Sequence, residues 1–215
     1  MPPQLADAEF IKSMIKSLSI LLSLNILTAS AVIPIAESKP VEEPTPAVEV
    51  EVETPAEKPK KDIWTLPGAT YNETVVLDAL QDRGITDRYA LATIMGNIKQ
   101  ESRFHTNICE GGARVGFWSC TRGGYGLIQW TTVGRYNGLA RHSRRIGHDP
   151  STISAQISYL FTEREWRGVE RFFKTPGHSV SYYMNKAYYW LGWGHHGRRT
   201  SYAYSYAKNL VLASK

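Results

Sequence analysis

The chain has 215 residues, with 25 Lys+Arg against 20 Asp+Glu for a formal net charge of +5, and 42% of it is hydrophobic. That length holds one ordinary domain plus an extension and excludes two full-sized domains, while two cysteines exclude a scaffold built from disulfides. The averages hide a break at Lys61. All six Trp and all twelve Tyr follow it; residues 1–61 carry six Lys against nine Asp+Glu, net −3, and the remaining 154 residues carry 19 basic against 11 acidic residues, net +8.

Lys12 and Lys16 precede an uncharged run over residues 18–36. Its apolar centre, Ile20-Leu21-Leu22-Ser23-Leu24-Asn25-Ile26-Leu27, leads to the small residues Ala29-Ser30-Ala31. A basic flank, an apolar centre and a small-residue site make a secretory signal peptide. At about 20 residues the run is also long enough to span a bilayer. Residues 1–36 are therefore read as a cleaved signal or as a retained signal-anchor touching the membrane through residues 18–36. A buried virion or scaffold helix is the third reading, and translocation in some form is the expectation. Residues 37–61 combine repeated Pro with alternating Glu and Val and hold no aromatic residue. Such a segment buries too little apolar surface to offset its ordering entropy, so it is expected to be a disordered, extended spacer.

Residues 62–215 read as a single mainly α domain. Asn72 is placed to cap a helix carrying Val75, Val76, Ala79 and Leu80 and ending at Gly84. Thr86 or Asp87 starts a second helix with Leu91, Ile94, Met95 and Ile98 at helical spacing. The Gly-rich segment 109–127 holds both Cys and is expected to form a loop or small hairpin. Arg135 and Arg141, Arg144 and Arg145 share a helical stretch. Asp149-Pro150 signals a helix start, with Ile153, Ile157, Leu160 and Phe161 on one face. Val180, Tyr183, Met184, Ala187 and Tyr188 mark a further helix, and a last one covers residues 199–212. Alternation at strand period is nearly absent.

The second helix carries the chemistry. Extending Leu91, Ile94, Ile98 by three residues reaches Glu101, which puts a carboxylate on the apolar face at the helix C-terminal end. Partial burial and the negative end of the helix dipole both disfavour its charged form and raise its pKa. A glutamate that keeps its proton near neutral pH suits a general acid that protonates a leaving oxygen. The alternative is a helix-end Glu turned to solvent or paired with an arginine.

Glu101-Ser102 closes the helix, and after the loop comes Gly123-Gly124-Tyr125-Gly126-Leu127-Ile128-Gln129-Trp130. Its glycines allow close backbone approach, Gln129 offers a donor and an acceptor, and Tyr125 and Trp130 offer flat faces for sugar rings. An Glu-Ser pair ending a helix, followed by a Gly-Leu-x-Gln block, resembles the paired signature of lysozyme-like muramidases, including goose-type lysozymes and soluble lytic transglycosylases. The fuller pattern is Gly96-Asn97-Ile98, Glu101-Ser102, Tyr125 to Thr131, and Arg135. It most resembles the phage tail lysozyme family, over about residues 85–140 and on toward 210. The resemblance implies a lysozyme-like fold with Glu101 as catalytic acid, Ser102 supporting it, and Tyr125, Gln129 and Trp130 lining a glycan cleft. Near its end the chain departs from related domains, which often carry a Phe-Glu block there. It has Tyr188-Tyr189-Trp190-Leu191-Gly192-Trp193-Gly194-His195-His196, without a carboxylate.

Glycosidases usually pair two carboxyl groups. Glu110, in the loop, is the candidate for activating a water; Glu163, Glu165 and Asp149 read as exposed helix-start or helix-face residues. The resemblance also allows the transglycosylase route, in which one Glu serves as acid and then base and a sugar hydroxyl attacks. Cys109 and Cys120 are expected to form a disulfide, since an even count behind a leader fits an oxidising compartment. Free thiols and a zinc site using His105, Cys109 and Cys120 are the alternatives, and no clear fourth ligand completes the zinc set. No metal or cofactor is expected. His195-His196 reads as a solvated loop beside the cleft, with Trp193 a further platform for sugars. The +8 charge, with clusters at Arg141, Arg144, Arg145 and at Arg198-Arg199, fits attraction to an anionic wall, and no nucleic-acid motif accompanies it.

The expected protein is thus a monomeric, exported, membrane-tethered or virion-associated muramidase acting on bacterial peptidoglycan glycan strands. A phage endolysin or virion lysin fits this description. The competing expectation is a non-catalytic wall-binding or virion structural protein that keeps the fold.

Overall fold

The computed structural model describes residues 62–214, so the signal or anchor expected over residues 1–36 and the whole spacer expected over residues 37–61 lie outside the described residues. Strand β1 (Asp62–Thr65) is followed by helices α1 (Tyr71–Asp82) and α2 (Arg88–Ser102), then a long loop with one 3-10 turn at Phe117–Ser119. Helices α3 (Val133–Arg145), α4 (Ile153–Thr162), α5 (Arg164–Lys174), α6 (Val180–Leu191) and α7 (Arg199–Asn209) lead to strand β2 (Val211–Ser214). The mainly α expectation holds. No described helix is long and apolar enough to cross a membrane.

Helix α2 is the axis of the fold. Asp87 caps it, its carboxylate accepting from the amides of Tyr89 and Ala90. Ala90 through Ile98 are buried without a break, so the helix is enclosed on all sides rather than along one stripe. Its closest neighbour is α7. A Cβ built on Gly96 would lie 2.5 Å from the backbone nitrogen of Ala203, so a glycine is needed where the two helices touch. This approach carries the first residue of α7, Arg199, to the last turn of α2.

Around α2 the packing is aromatic. On α5, Trp166, Val169 and Phe173 are buried at helical spacing. Trp166 stacks on Phe173 with centroids 5.6 Å apart and meets Trp190 of α6 edge-on at 4.9 Å. Truncating such a ring to alanine costs about 3–5 kcal/mol, which is the scale on which this layer holds α5 and α6 to the centre.

Several local expectations are corrected. Thr70, not Asn72, caps α1: its hydroxyl accepts from the Glu73 amide while Glu73 reaches back to the Thr70 amide, a capping box. Asn72 instead donates to the Phe104 carbonyl. Asp149 does not open α4; it accepts from Ser151 in a turn, and Thr152 caps the helix. The buried face of α4 is Ala155, Gln156, Tyr159 and Leu160, with Ile153, Ile157 and Phe161 half-buried against the core. On α6, Tyr188 is 48% exposed, outside the buried set. The last helix stops at Asn209, and residues 211–214 pair antiparallel with Asp62–Thr65, Thr65 facing Val211.

The long loop is closed by the expected disulfide between Cys109 and Cys120. Both sulfurs are thereby used, which removes the free-thiol and zinc alternatives; among the described residues no cluster of three or more metal-ligating side chains occurs. The loop is pinned by single β-bridges, Ile108 to Arg114 and Cys109 to Tyr125, rather than by a regular hairpin.

Candidate active site

Glu101 lies in the last turn of α2, its side chain 17% exposed. One carboxylate oxygen, Oε1, accepts from Nη2 of Arg199. The other, Oε2, has no hydrogen-bond partner among the described residues, and Glu101 lines two adjoining hollows. The larger, of about 450 Å³, is bounded by Gln129, Arg135, Trp193, His195 and Arg199. The second, of about 390 Å³, is bounded by Gln100, Arg103, His105, Ile108 and Arg114. Glu101 is the residue common to both and the sole carboxylate of either.

Burial pushes the Glu101 pKa above the ordinary carboxylate value, against the opposing charges of Arg199 and Arg135. Glu101 is thus both a buried acid and an Arg-paired Glu, the two alternatives open at its helix end. The protonated form remains compatible with the pair, because a proton on Oε2 leaves Oε1 free to accept from Arg199.

Arg199 is the site residue that sequence reasoning misplaced. Grouped with Arg198 as a surface cluster, it is 4% exposed. Its Nη1 donates to the carbonyls of His195 and His196, and its guanidinium lies 4.7 Å over the Trp193 ring. One arginine thereby ties the α6–α7 loop to Glu101 and fixes Trp193 on the cleft wall. His195 and His196 are exposed, as expected.

The opposite wall is assembled around Ser102 and Gln156. The Ser102 hydroxyl, buried, donates to the Leu127 carbonyl at 2.8 Å, which joins the two sequence blocks directly. Gln156 is fully buried; its oxygen accepts from the Leu127 amide and its nitrogen donates to the carbonyls of Thr106 and Pro150. Gly126 stands against it at φ 72°, where an added Cβ would meet the Gln156 oxygen at 2.5 Å. Among the described residues the non-glycine positions with positive φ are Arg103 and Gln129, which line the two hollows, and Phe104, which is buried against Tyr206. Left-handed backbone at such residues is uncommon and gathers at functional sites.

The structure separates the other sequence candidates. Gln129 and Trp193 line the larger hollow. Tyr125 and Trp130 do not supply sugar platforms: both are fully buried. The Tyr125 hydroxyl donates to the Val115 carbonyl and is hydrogen-bonded to the Ser151 hydroxyl, and the Trp130 indole N–H donates to Glu163. Their rings pack into the core behind the loop, Tyr125 against Phe117 and Tyr136 and Trp130 against Tyr159. Glu110 lines neither hollow; its carboxylate accepts from the Gly124 amide at 3.0 Å.

Glu163, read from sequence as exposed, is 5% exposed. Both of its oxygens are saturated: Oε1 accepts from Arg135 Nη2 and Trp190 Nε1, and Oε2 from Arg135 Nε and Trp130 Nε1. Burial raises its pKa, while Arg135 and the indoles oppose the shift. The four donors come from α3, α6 and the loop, at separations of 27 residues or more, so no local pattern announces them.

The profile of the phage tail lysozyme family matches residues 71–210, which is more than half of the chain, and the chain belongs to that family. No curated protein and no solved structure matches it. Family membership points to lysozyme-like, peptidoglycan-lytic activity.

Proposed function

We propose that this member of the phage tail lysozyme family is a muramidase that cleaves the β-1,4 bond between N-acetylmuramic acid and N-acetylglucosamine, with Glu101 as the general acid. The observation that carries the reading is the unpartnered Oε2 of a half-buried, Arg-anchored carboxylate at the junction of two hollows. A glycan strand lying through both would present a glycosidic oxygen at Glu101 with sugars on either side. The proton on Oε2 passes to that oxygen as the bond to the anomeric carbon breaks. The positive charge that develops on the sugar is then met by the carboxylate left behind. Trp193 offers a ring face to a sugar, and Gln129 a polar edge to its substituents. The cationic surround of Arg103 and Arg114 suits a polymer bearing peptide carboxylates.

A second reading within the enzyme class has its own support. Glu101 is the sole carboxylate of either hollow, which favours a lytic transglycosylase route in which a substrate hydroxyl replaces water. Mass analysis of released muropeptides separates the two: reducing ends carrying water mean hydrolysis, and anhydro ends mean transglycosylation. A zymogram of the whole chain tests the enzyme reading itself. Clearing is the expected result, and wall binding without clearing would leave the fold as a binding or virion structural element. The protein's site of action, at the periplasmic or outer face of a host envelope or on a virion, belongs to the same proposal.

A further inference from the structure

Arg135 is shared between two environments. Its Nε and Nη2 are bound to the buried Glu163, and its side chain, 15% exposed, reaches the wall of the hollow that contains Glu101. The Tyr159 hydroxyl fixes the backbone of the same residue by donating to its carbonyl. We propose that Glu163 is a positioning residue for Glu101. It holds the Arg135 guanidinium at the cleft wall with its charge neutralised, so that the neighbouring acid keeps its proton. The inference rests on Glu101 as the acid and adds a residue that never touches substrate.

An ion pair seen from outside acts as a dipole, whose field falls off faster than that of a single charge. A bare Arg135 would act on Glu101 as a full positive charge and favour its ionised form. The other charged or titratable groups facing Glu101 are Arg199 from α7, His195 from the α6–α7 loop, and Arg103, His105 and Arg114 across the second hollow. Around Glu163 stand Arg135 and the Tyr159 hydroxyl, with Glu165 on the same helix. Substituting Glu163 leaves the groups that face Glu101 from the other elements in place, so a shift in the acid's behaviour reports on Arg135. The four-donor cage also explains why the neutralising group is a carboxylate: its two oxygens satisfy both indoles and the guanidinium fork at once.

The test is the pH profile of wall clearing by the full chain, comparing wild type with Glu163→Gln, Arg135→Met and the double variant, each checked for fold by circular dichroism. Glu163→Gln should move the alkaline limb to lower pH by about half a unit, the scale of one screened charge nearby. Arg135→Met should move it upward, and the double variant should return it toward wild type. A purely structural role would lower the plateau and leave the limb in place, and coincident limbs would overturn the proposal. If Glu163→Gln does not fold, Arg135→Met against the double variant decides by the same criterion. Full activity of Glu101→Gln, by contrast, would sink the acid assignment itself, so the two failures are distinguishable.

Discussion

Glu101 and Glu163 are the same residue type, each at a helix end, each bound to an arginine, each with its pKa raised by burial. They differ in what remains unbound. Glu163 has every oxygen engaged and is enclosed by two indoles; Glu101 has one oxygen engaged and one turned to open space. A carboxylate with both oxygens fully engaged inside the protein has nothing left to offer a substrate. One left half-satisfied at a cleft is available to a substrate, and its arginine partner serves as an anchor rather than as a seal.

The contrast predicts opposite losses. Glu101→Gln should cut clearing by about 100-fold or more, the scale of a positioned acid, and leave the thermal unfolding midpoint nearly where it was. Full clearing by this variant would break the distinction at once. Glu163→Ala should do the reverse in kind: leaving Arg135 buried without its partner costs about 3–5 kcal/mol of stability, read by denaturant unfolding. Reducing the Cys109–Cys120 disulfide should cost up to about 3 kcal/mol by freeing a short loop, which places the loop wall between the two extremes. Arg199→Met sharpens the picture of Glu101 alone. Its pKa is raised by burial, so with Glu101 as the proposed acid the protonated form is present at low pH and is lost as pH rises through that value. Removing the opposing cation should carry the alkaline limb further up, on a lower plateau. Glu110→Gln should produce the smallest effect on clearing, since its carboxylate ties only the Gly124 amide.

Much of the setting of Glu101 is legible in sequence because it is local. The stripe Leu91, Ile94, Ile98 and the capping Asp87 fix where α2 starts and which turn Glu101 occupies. The two blocks at residues 101–102 and 125–131 are legible as a pair, and the Ser102 bond to Leu127 shows why they travel together. What is not legible depends on partners far along the chain. Arg199 reads as one of two surface arginines until α7 is laid against Gly96, and Glu163 reads as exposed because its donors come from three other segments. Tyr125 and Trp130 mislead for a related reason. A ring beside a glycine-rich turn can face a ligand or the core, and only the packing of Phe117 and Tyr136 around Tyr125, and of Tyr159 on Trp130, decides. Four-residue strands such as β1 and β2 are too short to develop a period, and they are bound to each other across almost the whole domain.

That pairing has a topological consequence. Asp62 and Ser214 stand opposite each other in the two-stranded pairing, so the described part of the domain begins and ends at one place. Neither strand contributes to the hollows around Glu101. A peptide bridge of a few residues from 214 to 62 would make the catalytic unit circular. The domain is in this sense a cassette: it should tolerate head-to-tail closure, or insertion into the surface loop of an unrelated host, with its cleft undisturbed.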